Sequence, residues 1–448
     1  MPLSPSEPLA LNRSALADWY VRNRKRSREL FDLLDPQVYY SRPISLRNPI
    51  VFYEGHLPAF SLISLVERGA GERGVDERLE RLFARGIDPD SEDAAVPRSG
   101  AATLWPPREE VLRFGSVADE LVLRTLRDHV FDESRPAMRR GEALFTALEH
   151  EAMHQETLLY MWHRLPHTQK RKPANVQYET DGAQPPRDAA AIPEGVATLG
   201  AHRDRIQFGW DNEFDEQRVT VPAFDIDVHS VTNGDFLEFV QAGGYDNREL
   251  WSAGGWAWRQ QEQMEHPIFW ERKSDRWFWR GMFDLIPLPL AWPAYVSYAE
   301  AEAFAKWRGR RVPTEAEYHR AAFGTPSGEE QSFPWGDEAP DRTRGNFDFE
   351  SWEPVPAGSR PAGASAWGVH DLIGNGWEWT STVFGPFPGF AAMASYPEYS
   401  AEFFDGQHYV MKGASPATAK ELVRRSFRNW FRPNYPYVYA KFRTARSS

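Results

Sequence analysis

The sequence predicts two domains of different class: an all-α bundle over residues 1–168, a linker over 169–193, and an α+β domain over 194–448. Three observations carry this division. Apolar residues recur at helical spacing through most of the first third. Residues 169–193 turn basic and then Gly/Pro/Ala-rich. Beyond them the periodicity shortens, and Gly, Pro, Asn and Trp become frequent.

The helical elements follow in order. Ser14 to Leu34 carries leucines and aromatics at helical spacing, and Asp35-Pro36 stops it. The stretch NPIVFYEGHLPAF, Asn48 to Phe60, is apolar and aromatic and reads as the second helix of the bundle. Val75 to Ala84 has dense charge pairs at i,i+4, a solvated helix face. Gly86 to Pro107 reads as loop. Arg108 to Val130 is amphipathic, and Arg139 to Leu165 is the last long helix, closed by Pro166. Four of these helices with one long connection make a bundle. In the second domain, Val219 to Asp227 alternates like a strand, while Asn233 to Gln241 and Ser297 to Trp307 read as helices.

Bulk composition excludes several classes of function. Lys and Arg number 52 against 64 Asp and Glu, a net charge of -12, which argues against a nucleic-acid partner. No run approaches the roughly 18 apolar residues that a membrane span needs. The N-terminal twenty residues lack a basic region followed by an apolar run, so the expected compartment is the cytoplasm. The chain has no cysteine. A thiolate nucleophile, a disulfide and a cysteine metal ligand are therefore ruled out.

The histidines are the candidates for chemistry. His163, His167, His202 and His408 sit in contexts that suit ordinary surface or core residues. His150 and His154, in EHEAMHQE, lie four apart on one helix face, about 5–6 Å from each other. Ala143, Ala147 and Met153 share that face, so it points inward. The competing reading is a pair of surface histidines among Glu149, Glu151 and Glu156. If the pair binds metal, Glu149 and Glu156 are placed to orient the rings. The best third ligand is His56, in an otherwise apolar helix, where the alternative is a hydrogen-bonded core histidine. Three neutral imidazoles suit zinc, iron(II), copper or nickel. The stretch also fits H-E-x-x-H, with Glu151 as the base of a zinc protease. The metzincin continuation H-x-x-G-x-x-H is missing, since after His154 the chain runs QETLLYMWHRL. Glu151 therefore reads as a helix-surface residue or one that supports a ligand indirectly.

Several segments of the second half are specific. They are WDNEFDEQRVTVPAFDID, VTNGDFLEFV, RRVPTEAEYHRAAFG, FPWGDE, WGVHDLIGNGWEWT, MKGAS and RRSFRNWFRPNYPYVYAKFRTAR. In this order they resemble the formylglycine-generating-enzyme-like domain, a C-type-lectin-like α+β fold. The formylglycine-generating activity needs a cysteine pair and is excluded here. The same fold joined to a DinB-like four-helix bundle with His56, His150 and His154 resembles the nonheme iron sulfoxide synthases of thiohistidine biosynthesis. The resemblance implies that the three histidines hold Fe(II), and that O2 drives C–S bond formation between a cysteine-type thiol and hercynine, giving a sulfoxide. It also implies that Asn429 and Trp430 hold the hercynine betaine. Trp377, Trp379 and Asn375 support the fold in this reading.

The chain departs from the pattern at three places. Some ergothioneine-type members carry Gln, in contact with hercynine, where this chain has Met153. Some carry an acid, on the amino group of γ-glutamylcysteine, where this chain has Phe431; that favours free cysteine. FGPFPGF, Phe384 to Phe390, lacks the tyrosine that precedes a PGF-like segment in some members. Tyr39, Tyr40 and Tyr53 are the alternatives for a proton donor. The block YYSRPISLRNPIVFYEGH and HEAMHQET resemble the ovothiol-type synthases, which take unmethylated histidine. The selenoneine synthases, which use a selenosugar, share the architecture. A non-catalytic lectin-like binding module is the reading from another class.

Overall fold

The computed structural model describes residues 12–84 and 105–447. The loop expected over 86–107 lies largely outside the described residues. The chain divides into two compact units. The first takes Met1–Ala174 together with two later segments, Asp204–Phe208 and Ala392–Tyr399; the second takes the remainder.

In the first unit, α1 (Arg13–Asp32) starts where the Asn12 side chain accepts the Ala15 N–H at 3.1 Å. The next helix, α2 (Ile50–Ser61), has all twelve residues buried, so it has no solvent face. It contains Pro58 and passes into a π-helical stretch, Leu62–Ala70, that ends at left-handed Gly71. Short α3 (Glu77–Phe83) is capped by Asp76, whose carboxylate accepts the N–H groups of Arg78 and Leu79. In α4 (Arg108–Asp128), Val111, Phe114, Ala118, Leu121, Val122 and Thr125 form one buried stripe. The last, α5 (Glu142–Arg164), begins after left-handed Gly141. Arg139, where the sequence pattern starts this helix, has extended backbone instead, and Arg140 is left-handed. Both α1 and α2 pack on α4 and on α5. Among the described residues, no helix is long and apolar enough to cross a membrane.

The second unit opens with β1 (Ala189–Ile192), β2 (Gly195–Leu199), β3 (Gln217–Val221) and β4 (Phe224–Asp227). Here two expectations change. The end of the expected linker is β1, because its backbone pairs with β4 from Ala189–Asp227 to Ile192–Phe224. The single strand expected over Val219 to Asp227 is β3 and β4, which join different sheets; Pro222 sits at the break and has no N–H for a ladder. There follow α6 (Asn233–Gln241), α7 (Ala253–Gln261) and a sheet of β5 (Trp270–Lys273), β6 (Arg276–Arg280) and β7 (Leu285–Pro287). Next come α8 (Tyr298–Trp307) and α9 (Glu315–Phe323). Thr232/Asp235, Ser297/Glu300 and Thr314/Glu317 form reciprocal capping boxes that start α6, α8 and α9.

The remaining strands are β8 (Gly376–Val383), β9 (Tyr409–Ala414), β10 (Asn429–Phe431), β11 (Ala440–Lys441) and β12 (Ala445–Ser447). Four make one sheet in the order β10-β9-β8-β11, and β12 pairs with β4. Glu378 and Lys441 face each other in the β8–β11 register and form a fully buried ion pair at 2.6 Å, which Arg443 joins. Tyr318, Phe323, Phe347, Leu372, Phe224 and Ile226 lie in one core cluster of this unit. The result is an all-α bundle and an α+β unit, as the sequence predicts.

Candidate metal centre

The site starts from a glycine. A Cβ on Gly55 would lie 2.4 Å from the Phe83 ring, so only glycine lets α3 approach α2 this closely. That approach brings the Phe83 carbonyl to His56, whose Nδ1–H donates to it at 2.7 Å. With the proton on Nδ1, Nε2 carries the lone pair that a metal needs. Phe52 stacks on the His56 ring at 5.1 Å and 15°, and Phe60 meets its edge.

His150 and His154 project from α5 toward this ring. Nε2 of His150 lies 3.3 Å from Nε2 of His56, and the three side chains offer ligand atoms all within 4.8 Å of one another. Two nitrogens each about 2.1 Å from one metal, at an angle near 100°, would be separated by about 3.2 Å. Phe60 stacks flat on His150, at 3.4 Å and 9°. Burial drives His56 down to about 4, against the pull of the Phe83 carbonyl. It also holds His150 and His154 well below the usual histidine range, helped by His154 and His56 for the first and by His56 and Arg47 for the second. All three are therefore neutral near pH 7, the form in which imidazole ligates. Nδ1 of His150 and of His154 is buried without a hydrogen-bond partner among the described residues. This donor set fits a divalent transition metal.

A segment distant in sequence completes the helical unit. Ser395, in Ala392–Tyr399, donates its N–H and its hydroxyl to Glu142 Oε1 at 2.8 and 2.9 Å. Its hydroxyl also meets Thr146 at 2.9 Å, and Arg68 donates to its carbonyl at 3.0 Å. Glu142, Thr146, His150 and His154 are spaced by four, so they form one stripe along α5. The first two positions hold the segment and the last two belong to the histidine cluster. Tyr396 is thereby set edge-on to Phe60 at 4.9 Å and to His150 at 6.0 Å. Three residues on, the Tyr399 hydroxyl reaches Met153 Sδ at 3.5 Å. Sequence reasoning missed both tyrosines. Of its three alternatives, Tyr53 lies against His154 at 5.8 Å. The Tyr39 ring lies under the Arg108 guanidinium, and exposed Tyr40 donates to the Pro106 carbonyl at 3.3 Å.

Glu151 is not a helix-surface residue. It is fully buried on the stripe of α5 that faces α1, where it accepts from Arg24 at 2.9 Å and from Ser27 at 2.6 Å. A carboxylate held there cannot serve as the general base of a protease beside His150 and His154.

Asn429 and Trp430 belong to the second unit, on β10. They pair with Met411 and Val410 of β9. Arg428, bound to both carboxylate oxygens of Glu315 at 3.0 and 3.1 Å, fixes the start of that strand. Trp430 stacks on Phe384 at 4.2 Å and 6°, with Phe403 tilted against it. Phe431 stacks on Tyr435 at 5.1 Å. Trp377, Trp379 and Asn375 are buried, and Asn375 accepts from Val355 N–H and donates to its carbonyl, pinning a turn.

Comparison with known proteins agrees with this arrangement. Residues 175–448 match the sulfatase-modifying factor enzyme 1-like domain, and residues 20–158 match the DinB superfamily. The hercynine oxygenase of Mycolicibacterium thermoresistibile is 31% identical, over 97% of this chain and 95% of that one. The hercynine oxygenase of Mycobacterium tuberculosis is 41% identical over 52% of this chain and 55% of its own length. Ergothioneine biosynthesis protein 1 of Neurospora crassa is 28% identical over 96% of this chain, which spans 56% of that longer protein. A helical unit of the DinB type, a sulfatase-modifying-factor-like unit and end-to-end similarity at this level have one meaning: the chain belongs to the hercynine oxygenase family.

Proposed function

We propose that the protein is an Fe(II)- and O2-dependent sulfoxide synthase of ergothioneine biosynthesis, joining a cysteine-type thiol to hercynine. The observation that carries this reading is the meeting of three neutral imidazoles from α2 and α5, two buried and His154 half-buried, in a chain without cysteine. The overall reaction balances without an external reductant. The S–H and an imidazole C–H are lost, C–S and S=O bonds form, and O2 supplies the sulfoxide oxygen and the oxygen of one water. Bound Fe(II) supplies O2 activation and redox chemistry, with positions left open by three histidine ligands.

The chain's own residues do the rest. His56, His150 and His154 hold the ion, and the Phe83 carbonyl orients the first of them. Phe52 and Phe60 cover the imidazoles and keep water from them. Tyr396, whose ring centre lies 6.0 Å from that of His150, holds a proton at its Oη and is the candidate donor for the oxygen chemistry. Asn429 and Trp430 bind the hercynine betaine. A Trp ring clamped by Phe384 can present an aromatic face to a quaternary ammonium, which needs no full counter-charge. Met153 stands where some ergothioneine-type members carry Gln, and gives that position a thioether, met by the Tyr399 hydroxyl, in place of an amide. Phe431 carries no charge for the amino group of γ-glutamylcysteine, which favours free cysteine as donor.

The test is anaerobic reconstitution with Fe(II), then O2, with hercynine or histidine against cysteine or γ-glutamylcysteine, read by mass spectrometry. The expected product is the hercynine–cysteine sulfoxide. A product with histidine alone would move the protein to the ovothiol-type activity. No sulfoxide from any pair would overturn the sulfoxide-synthase reading and leave the selenosugar-using synthase and the binding module.

A further inference from the structure

The geometry points to Glu151 as a positioning residue: its buried carboxylate, locked to α1 and through Arg24 to α4, sets the rotation of α5 and hence where His150 and His154 aim their nitrogens. This rests on the metal reading of the three histidines. Glu151 lies between the two ligands in sequence and projects from the neighbouring stripe of α5, toward α1. Its Oε1 accepts from Arg24 Nη1 and Ser27 Oγ, both on α1. Arg24 Nε also donates to Asp119 Oδ1 on α4 at 2.8 Å. Asp119 in turn accepts from Tyr20 at 2.8 Å and from Arg28 at 2.7 Å. One turn beyond Glu151, Gln155 donates to the Asn23 carbonyl at 2.9 Å and to Ser27 Oγ at 3.1 Å. Glu151 and Gln155 form one stripe, and His150 and His154 form the neighbouring stripe.

The consequence is geometric. Side-chain ends lie about 5–6 Å from a helix axis, so a rotation of about 20° moves a ring nitrogen by about 2 Å. Metal–ligand distances tolerate about 0.2 Å. Apolar packing alone permits such a slip, because greasy side chains re-pack at modest cost. The bonds to Glu151 Oε1 resist it, because breaking them would leave the carboxylate, whose Oε2 is already buried without a hydrogen-bond partner among the described residues, with none. Arg24 is 8% exposed, Asp119 6% and Glu151 0%. Similar-sized apolar residues would often stabilise such a core better than charges do. The network's advantage is that it admits one helix orientation.

The test uses the full chain loaded with Co(II), whose visible spectrum reports coordination geometry. Glu151→Gln and Ser27→Ala are expected to bind Co(II) about 10–100-fold more weakly than wild type and to change the spectrum. Ser27→Ala removes a single hydroxyl and guards against a Glu151 variant that does not fold. Lys25→Ala, which removes an exposed i,i+4 pair with Glu29, controls for surface change on α1 and is expected to match wild type. Wild-type affinity and spectrum in both Glu151→Gln and Ser27→Ala would overturn the inference. Failure of wild type itself to bind Co(II), or His56→Ala binding as wild type does, would instead overturn the metal reading beneath it.

Discussion

Nε2 of His56 and Nε2 of His150 lie 3.3 Å apart, although 94 residues separate them in the chain. Two neutral imidazoles at that distance, both buried and with His154 beside them, have the spacing that ligands of one ion need. Replacing His56, His150 or His154 with Ala should lower metal affinity by more than about 100-fold, since loss of supporting residues alone costs about 10–100-fold. Isothermal titration with Co(II) or Fe(II) measures this. Three variants with full metal occupancy would refute the assignment.

Gly55 controls the site from behind. In Gly55→Ala the added methyl collides with the ring of Phe83, the residue whose carbonyl orients His56. The expected cost is about 1–3 kcal/mol in urea denaturation, with metal affinity weakened about 10-fold or more. A stable variant with unchanged affinity would show that α3 plays no part in orienting the ligand.

Tyr396 should matter to turnover and not to metal binding. Tyr396→Phe keeps the ring against Phe60 and removes the proton, so sulfoxide formation should fall about 10²–10⁴-fold while Co(II) affinity stays unchanged. Ser395→Ala, which loosens the segment from Glu142 and Thr146, should fall in the same direction by less. Steady-state product analysis beside metal titration separates these effects. Equal turnover in Tyr396→Phe and wild type would remove the tyrosine from the account.

Acid stability of the second unit should depend on Glu378. Burial pushes its carboxyl upward, but Arg443 and Lys441 outweigh burial and hold it below the ordinary value of 4.5. A carboxylate depressed in the folded state contributes stability that is present above the unfolded value and lost as pH falls through the folded one. Wild type should therefore lose stability as pH drops below about 4.5. Glu378→Gln should cost about 3–5 kcal/mol near neutral pH, by leaving buried cations short of a partner, and should flatten that acid limb. Urea midpoints against pH report both. A variant as acid-sensitive as wild type would place the titration elsewhere.

Much of this was legible in the sequence because the signals are local. His150 and His154 announce a shared helix face by their spacing. His56 stands out because Ile50–Ser61 is otherwise nearly apolar. The capping boxes that open α6, α8 and α9 are written within four residues each. What was hidden depends on how distant segments meet. Tyr396 and Tyr399 reach the helical unit only because Ser395 is clamped to α5 by Glu142, 253 residues upstream. No periodicity in SYPEYS reveals that contact. Glu151 looked like a surface acid among three neighbouring acids, since its burial follows from the rotation of α5 against α1. The strand expected across Val219 to Asp227 divides because its two halves find different partners, β2 for one and β1 and β12 for the other.

The most direct test of the central claim is the ratio of O2 consumed to sulfoxide formed, measured with Fe(II), hercynine and cysteine for wild type and His56→Ala. A metal-centred synthase predicts one O2 per sulfoxide in wild type, and loss of both O2 uptake and product in the variant. Sulfoxide formation by His56→Ala at the wild-type rate, or no sulfoxide from fully loaded wild type with any substrate pair, would contradict it.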